Sequence, residues 1–320
     1  MQGIAQQLAR MAEDKNSLSL TLSEVSTIDS HLTERWEVDF IRTDEDFKEV
    51  VLGSIPMSDR TLFEAEYEKA VKHFEKHGTE HTGFYDMMSN QPLLGISTSK
   101  RRGLVIDAIS LAASIIKSMN INGDVVDVGC HAGVIPETLS KLVENNIDGI
   151  DPSKDSIKVA REETLENQRL NFFFGSVPFP IKKQYSFLLA VSSMPKKKAP
   201  RRDFLQGVSD LLEEGGVAMI VSSHWLGHDG NLDKVLLKQL QKFRLGFAFA
   251  DVLGGYEDMP TKFVAEGCVV LVKGGGDILP TDLQDRMESD WPGFQEYANT
   301  PSTPARDKTQ AFKRAFGKLV

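Results

Sequence analysis

The stretch Asp127-Val128-Gly129-Cys130-His131-Ala132-Gly133 follows the apolar pair Val125-Val126, and a second apolar run downstream closes with Gly149-Ile150-Asp151. Glycines at the end of a strand let the backbone come close to a ligand, and a helix that follows presents amide donors at its N-terminus. A carboxylate ending the next strand can accept a pair of hydroxyls. This combination suits an adenosine-containing cofactor. Spacing narrows the choice, because His131 stands where a dinucleotide fingerprint requires its second glycine. A P-loop is excluded as well, since no Gly-Lys-Ser/Thr follows.

Two further groups could do chemistry. Ser222-Ser223-His224-Trp225-Leu226-Gly227-His228-Asp229 follows a later apolar run and offers His224 as a proton acceptor and Trp225 as a pocket wall. No metal site is expected there, because His224, His228 and Asp229 have no further ligand at helical or loop spacing. The segment 196–202 carries five cations, Lys196, Lys197, Lys198, Arg201 and Arg202, on an expected loop near the carboxyl edge of the sheet. Open α/β sheets bind ligands at that edge. Such a loop could attract an acidic or phosphate-bearing substrate, or simply be solvated.

The elements that must position these residues are legible between residues 124 and 273, where short apolar runs alternate with amphipathic stretches. That is the pattern of a parallel sheet with helices on both faces. Strands are expected at 124–128, 147–151, 171–174, 185–191 and 217–222. The first helix should pack a stripe of Ile135, Leu139, Leu142 and Val143 on the sheet. The second should open with Pro152 in its first turn. After a helix at 232–243, strands at 245–253 and 262–273 flank a loop at 254–260 with no helix between them, so they should form an antiparallel pair. The expected fold is thus α/β, a Rossmann-like, doubly wound and mostly parallel sheet ending in an antiparallel strand pair.

Upstream, residues 60–77 predict an amphipathic helix with Phe63, Tyr67, Ala70, Val71 and Phe74 on one side, and 104–119 a more buried one. The aromatic and turn-rich segment 81–92 reads as a structured cover. We therefore divide the chain into a mainly helical N-terminal cap or lid at 1–119, a cofactor-binding domain at 120–276 and a peripheral tail at 277–320. The tail should end in a short basic amphipathic helix containing Lys313, Arg314 and Lys318.

Composition bounds the function. A chain of 320 residues with 41% hydrophobic content can bury a large core. Cys130 and Cys268 are too few for a disulfide framework, no segment nears the roughly 20 apolar residues of a membrane span, and residues 1–17 lack the apolar centre of a signal peptide. A cytoplasmic protein with no membrane partner is expected, with self-association left open. The net charge of −9 argues against wholesale attraction to nucleic acid without excluding a local patch.

The acidic residue two places before Gly129, the turn that follows and the trailing strand pair resemble the class I S-adenosylmethionine-dependent methyltransferases over residues 120–273. The resemblance implies S-adenosylmethionine as cofactor. It places Asp127, Gly129, Cys130 and Gly133 against the methionine part, Asp151 on the ribose hydroxyls, and Gly175, Ser176 and Val177 around the adenine. Val191 and Ser192 would face the sulfonium. Tyr85 and Arg102, or Arg101, would close over the cofactor, a guanidinium pairing with the methionine carboxylate. Two departures stand out: His131 replaces the middle glycine and is a candidate substrate contact, and Ser176 replaces an acidic adenine ligand, so binding should lean on backbone donors. Ser192-Ser193-Met194-Pro195 differs from the Asn/Asp-Pro-Pro-aromatic signature of exocyclic-amine methylation, which lowers the case for DNA.

Methyl transfer needs alignment and, for a hydroxyl or ammonium acceptor, loss of a proton. His224 is the expected general base. The leading expectation is methyl transfer to an oxygen or nitrogen of a small-molecule metabolite under the N-terminal cover. The alternatives are an RNA or protein methyltransferase using 196–202, a non-catalytic interaction subunit of the same fold and, more distantly, a NAD-dependent oxidoreductase.

Overall fold

The computed structural model describes residues 2–14, 17–39, 44–77, 81–89, 91–99, 101–180, 182–195, 197–225, 234–253 and 266–275. Ahead of the sheet come α1 (Gln2–Glu13), α2 (Leu22–Trp36), α3 (Asp44–Ser54), α4 (Met57–His77), α5 (Thr82–Met87), α6 (Leu93–Ser99) and α7 (Arg102–Ser118). The sheet is built from β1 (Val125–Val128), β2 (Ile147–Asp151), β3 (Leu170–Phe174), β4 (Tyr185–Val191), β5 (Leu212–Ser222), β6 (Leu245–Leu253) and β7 (Glu266–Lys273). Its helices are α8 (Val134–Leu139), α9 (Lys154–Glu163), α10 (Lys198–Leu211) and α11 (Lys234–Lys242). The strand order is β3-β2-β1-β4-β5-β7-β6, parallel except for β7, which runs antiparallel to both of its neighbours. This is the Rossmann-like sheet with a terminal antiparallel pair that the apolar pattern predicts.

Alternation along the strands explains why both faces are dry. Val125, Phe187, Leu189, Val217, Met219, Val221, Cys268 and Val270 enter one core, while Val126, Leu188, Ala190, Ala218, Ile220, Val269 and Leu271 enter the other. Successive side chains of a strand point to opposite faces, so continuous apolar runs demand cover on both sides. On the second face α10 and α11 supply Phe204, Leu205, Val208, Leu236 and Leu240. The first face is covered by α7, α8 and α9 and also by the N-terminal helices, through Ala5 and Leu8 of α1 and Ile28, Leu32 and Trp36 of α2.

The N-terminal region therefore divides in two. Helices α1, α2 and α7 share the core of the sheet, whereas Val51, Phe63, Met88, Leu93 and Ile96 from α3 to α6 make a small cluster of their own. Phe63 of the expected α4 face is buried in that cluster, but Tyr67 remains largely exposed, its ring edge-on to Phe84 of α5. The side chains of Val71 and Phe74, the loop 254–260 and the tail 277–320 lie outside the described residues.

Three local differences from the sequence pattern have physical causes. Helix α9 begins at Lys154 with Ser153 as its N-cap, whose hydroxyl accepts the Ser156 N–H at 3.0 Å, so Pro152 precedes the cap instead of opening the helix. Strand β5 starts at Leu212, since Leu212 pairs with Tyr185 across a register shift that the Glu213-Glu214-Gly215-Gly216 sequence conceals. The basic segment is helical from Lys198 onward, with only its first residues outside α10.

The cover is seated on α2 by a close backbone approach. A Cβ at Gly95 would lie 2.7 Å from the Trp36 carbonyl oxygen and 2.8 Å from that of Glu37. Gln91 bridges the same joint, donating to the Trp36 carbonyl at 3.0 Å and accepting the Gly95 N–H at 3.2 Å. Gly95→Ala should therefore destabilise the protein by about 1–3 kcal/mol through overpacking. Urea denaturation measures this, and an unchanged midpoint would show that the joint yields freely.

Candidate functional site

The chain runs from β1 to β2 and β3 on one side and then returns to β4 and β5 on the other, so the switch point lies between β1 and β4. Open α/β sheets bind ligands in the crevice at the carboxyl ends there. Gly129 and Ser193 meet at this point. Gly129 has φ +81°, and a Cβ on it would fall 2.0 Å from Ser193 Oγ, which donates to the Val191 carbonyl at 2.9 Å. A glycine is thus required here by the protein's own packing. Sequence reasoning missed Ser193, because nothing local marks which side chain leans on that glycine.

The turn after β1 holds itself closed. The N–H groups of Gly129 and Cys130 donate to the Ile150 carbonyl at 2.7 and 3.2 Å, and that of Gly133 to the Cys130 carbonyl at 3.0 Å. His131 donates its N–H to Asp151 Oδ2 at 2.9 Å. Four backbone donors expected to face a ligand are therefore engaged within the chain. Cys130 turns its thiol into the core beside Gly149 and Phe172, where burial pushes its pKa up.

His131 occupies the middle-glycine position in the left-handed region, φ 50°, where a non-glycine residue costs roughly 1–2 kcal/mol. Its contacts hold it there. Nε2 lies 3.3 Å from the Tyr85 carbonyl and 3.2 Å from Ser89 Oγ, and the ring stands edge-on to Tyr85 at 5.6 Å between centroids. A carbonyl only accepts, so the proton is assigned to Nε2. Burial holds the imidazole below the usual histidine pKa, favouring the neutral ring.

The two acidic residues of the turn differ in their surroundings. Asp151 accepts the Ser153 N–H on Oδ1 at 2.7 Å and the His131 N–H on Oδ2 at 2.9 Å, while burial raises its pKa. Asp127 is 1% exposed, and neither of its oxygens has a hydrogen-bond partner among the described residues. Burial, with Asp151 nearby, pushes its pKa up to about 8. A buried carboxylate without a donor is a cost that a bound cationic or hydrogen-bonding group would relieve.

The cover closes over this turn through a serine network. Ser89 Oγ donates to the Tyr85 carbonyl at 2.6 Å and lies 2.5 Å from Ser156 Oγ, which is 2.5 Å from Ser153 Oγ. Ser153 in turn donates to the Asp86 carboxylate. Ser89, Ser153 and Ser156 are fully buried. None of the three was singled out in the sequence, since isolated serines carry no spacing signal.

The remaining expected residues scatter. Arg102 donates to the Val38 carbonyl at 2.6 Å, to Thr33 Oγ1 at 3.1 Å and to Asp29, which ties α7 to α2. Arg101 lies nearer the turn, acting on the charge of His131. Trp225 is 1% exposed and donates its indole N–H to the Ile220 carbonyl at 3.2 Å within the second core. Gly175 is packed by Phe179, Val177 by Gly207 of α10, and Ser176 is exposed. Val191 is partly buried against the first core. His224 stands in a single helical turn after β5, its N–H on Ser222 Oγ at 3.0 Å and its carbonyl accepting Arg201 Nη1 at 2.8 Å. His228 and Asp229 lie outside the described residues.

At the same edge, Ser192 has φ 54° and its Oγ sits 2.9 Å from both carboxylate oxygens of Glu266, the first residue of β7. No cluster of three or more His, Cys, Asp or Glu side chains among the described residues could hold a metal ion. No helix among them is long and apolar enough to cross a membrane.

The Asp127 carboxyl sets a pH dependence. An unfolded aspartate titrates near 3.9, so folding takes up a proton at Asp127 between about pH 4 and pH 8. Stability from this group is present below the unfolded value and lost as pH rises through the folded one. The ligand-free protein should therefore lose up to roughly 1.4 kcal/mol per pH unit across that window. Asp127→Asn should flatten the loss, as read from denaturation midpoints at stepped pH; parallel profiles for the two proteins would contradict the assignment.

Residues 125–216 match the family model of a methyltransferase domain. A search of the curated proteins finds no match. Similar solved structures include the N-methyltransferase NodS from Bradyrhizobium japonicum WM9, with 13% identity, 54% of this chain and 96% of that chain covered and a TM-score of 0.42. Another is magnesium protoporphyrin IX methyltransferase (ChlM) from Synechocystis PCC 6803 with bound SAM, with 14% identity, 63% and 94% covered and a TM-score of 0.46. A third is the Haloferax volcanii complex of the Trm112 methyltransferase activator with a methyltransferase, with 13% identity, 59% and 96% covered and a TM-score of 0.46. The match runs from β1 into β5 of the sheet ordered β3-β2-β1-β4-β5-β7-β6 with β7 reversed, in keeping with the resemblance of the sequence to class I S-adenosylmethionine-dependent methyltransferases.

Proposed function

We propose that the chain transfers a methyl group from S-adenosylmethionine to an oxygen or nitrogen of a small-molecule metabolite enclosed beneath its N-terminal helices. The observation that carries the small-molecule reading is the serine network, which brings segment 85–89 directly onto His131 and the loop after β2. A site covered in this way favours an acceptor small enough to fit under it. The reading that 196–202 holds RNA or protein loses support, because Arg201 is buried against the His224 carbonyl and Arg202 pairs with its neighbour Asp203 at 2.7 Å.

The residues present suit the cofactor. Asp127 offers an unsatisfied carboxylate for the methionine ammonium, and the ammonium would supply the donor that the fold withholds. Asp151 has about four acceptor positions and uses two of them on backbone N–H groups, which leaves room for the ribose hydroxyls. Phe174, 57% exposed at the end of β3 beside Gly175, offers an aromatic surface to the adenine. When bound, the cofactor supplies an electrophilic methyl group. Ser192 and Val191 stand at the end of β4 toward it, Tyr85 belongs to the cover above, and Arg101 is better placed than Arg102 to meet the methionine carboxylate. His224, at the carboxyl end of β5, is the proposed general base.

Calorimetric titration with S-adenosylhomocysteine should give saturable binding, and Asp151→Ala should weaken it by about tenfold or more through loss of charged hydrogen bonds. Unaltered affinity would remove Asp151 from the ribose site, and no binding to the folded wild-type protein would overturn the cofactor reading. Once an acceptor is in hand, His224→Gln should abolish the acid limb of the pH–rate profile and lower kcat by about a hundredfold. Retention of that limb would assign the proton to another group.

A further inference from the structure

We propose that Asp127 makes cofactor binding an exchange of a proton for an ammonium group, which gives the site a preference for amino-acid-bearing nucleosides that grows with pH; the proposal rests on the S-adenosylmethionine site argued above. Asp127 lies on β1 between Gly149 of β2 and Leu189 of β4, neither of which has a side-chain donor to give it. Alternation along β1 turns it to the same face as Val125, the face that the N-terminal helices cover. It is 1% exposed, and both of its oxygens lack a hydrogen-bond partner among the described residues. A carboxylate placed there is short of both water and donors, so the free protein favours the neutral acid.

The neighbouring charges reinforce this or act elsewhere. Asp151, at the end of β2, is a second carboxylate and repels the ionised form, while the Cys130 thiol of the turn is kept protonated by burial and by both carboxylates. On the cover, Asp86 acts on Asp151 and His131, and Arg101 acts on His131. Arg102 of α7 is held by Asp29 and the Val38 carbonyl, and Glu137 of α8 faces His31 and Arg35 at 3.4 and 3.8 Å. Burial and Asp151 together carry Asp127 up to about 8. An ammonium reverses the balance, because it brings a positive charge and up to about three N–H donors. The ligand's amine arrives already protonated, so the Asp127 proton leaves to solvent and an ion pair replaces it. Below about pH 8 each binding event must expel that proton, so affinity rises with pH and then levels off. A nucleoside without the amino group has nothing to displace the proton.

S-adenosylhomocysteine and methylthioadenosine test this, since they share the adenosine and the thioether and differ in the amino acid. Calorimetry on the wild-type protein at about pH 6.5, in two buffers of different ionisation enthalpy, should report about one more proton released with S-adenosylhomocysteine than with methylthioadenosine. The preference for S-adenosylhomocysteine should rise by up to about tenfold per pH unit from about pH 6 and level near pH 8. Asp127→Asn, whose amide cannot ionise, should lose the extra proton and the slope. It should also weaken S-adenosylhomocysteine by at least about tenfold at about pH 8 and leave methylthioadenosine within about twofold, which reports that the variant is folded. Equal proton release with the two ligands, or a preference that does not change with pH, overturns the exchange while the cofactor reading stands. If neither ligand binds the folded wild-type protein, both fall. Should Asp127→Asn not fold, the two wild-type titrations decide by themselves. Where methylthioadenosine binds too weakly to measure, a proton release that Asp127→Asn retains overturns the exchange instead.

Discussion

Burying the Asp127 carboxylate with no donor costs free energy that the rest of the domain must offset, and the arrangement around it follows from that constraint. The residue lies on β1, in the middle of a sheet whose two faces are both sealed by helices, so water cannot satisfy it. Its neighbour Asp151 is also buried, though less deeply, and accepts two backbone N–H groups. The two carboxylates therefore differ: Asp151 has two of its acceptor positions filled by the fold, whereas Asp127 has no donor among the described residues. Protonation relieves Asp127 in the free protein, and a bound cation would relieve it in the complex.

The same constraint accounts for the turn. A glycine at position 131 would keep the backbone N–H that Asp151 accepts but would lose the ring that ties the turn to the cover. His131 accepts an unfavourable backbone conformation, and its ring compensates by reaching the cover at Tyr85 and Ser89. One residue thus couples the cofactor loop to segment 85–89. Ser153 and Ser156 add a second tie, since they cap α9 next to Asp151 while contacting Asp86 and Ser89. The seating of segment 85–89 and the position of Asp151 are set by one buried polar network, and such networks are rigid only when every member is satisfied.

The reversed strand completes the edge at which the parallel strands end. Because β7 enters the sheet against the direction of β5, its first residue arrives at the edge where the parallel strands end. A parallel β7 would have brought its last residue there instead. The reversal is thus both the feature that separates this sheet from a dinucleotide-binding one and the means by which Glu266 reaches Ser192.

The sequence by itself determined the sheet and its cofactor turn, because both rest on local signals. Apolar runs such as 185–191 and 217–222 can satisfy their backbone and their side chains only as buried strands, and Asp127, Gly129 and Gly133 of the turn lie within seven consecutive residues. Which side chains meet across that turn was decided only by the tertiary structure. Arg102 looked available in the sequence, yet Val38 and Asp29, more than 60 residues away, engage it, and Trp225 is buried in the second core with its indole N–H on the Ile220 carbonyl. Conversely, Ser89, Ser153, Ser156, Ser193 and Glu266 carry no pattern of their own. A serine or glutamate acquires a role from what is packed within about 3 Å of it, and that depends on contacts between residues tens of positions apart, which periodicity and spacing do not encode.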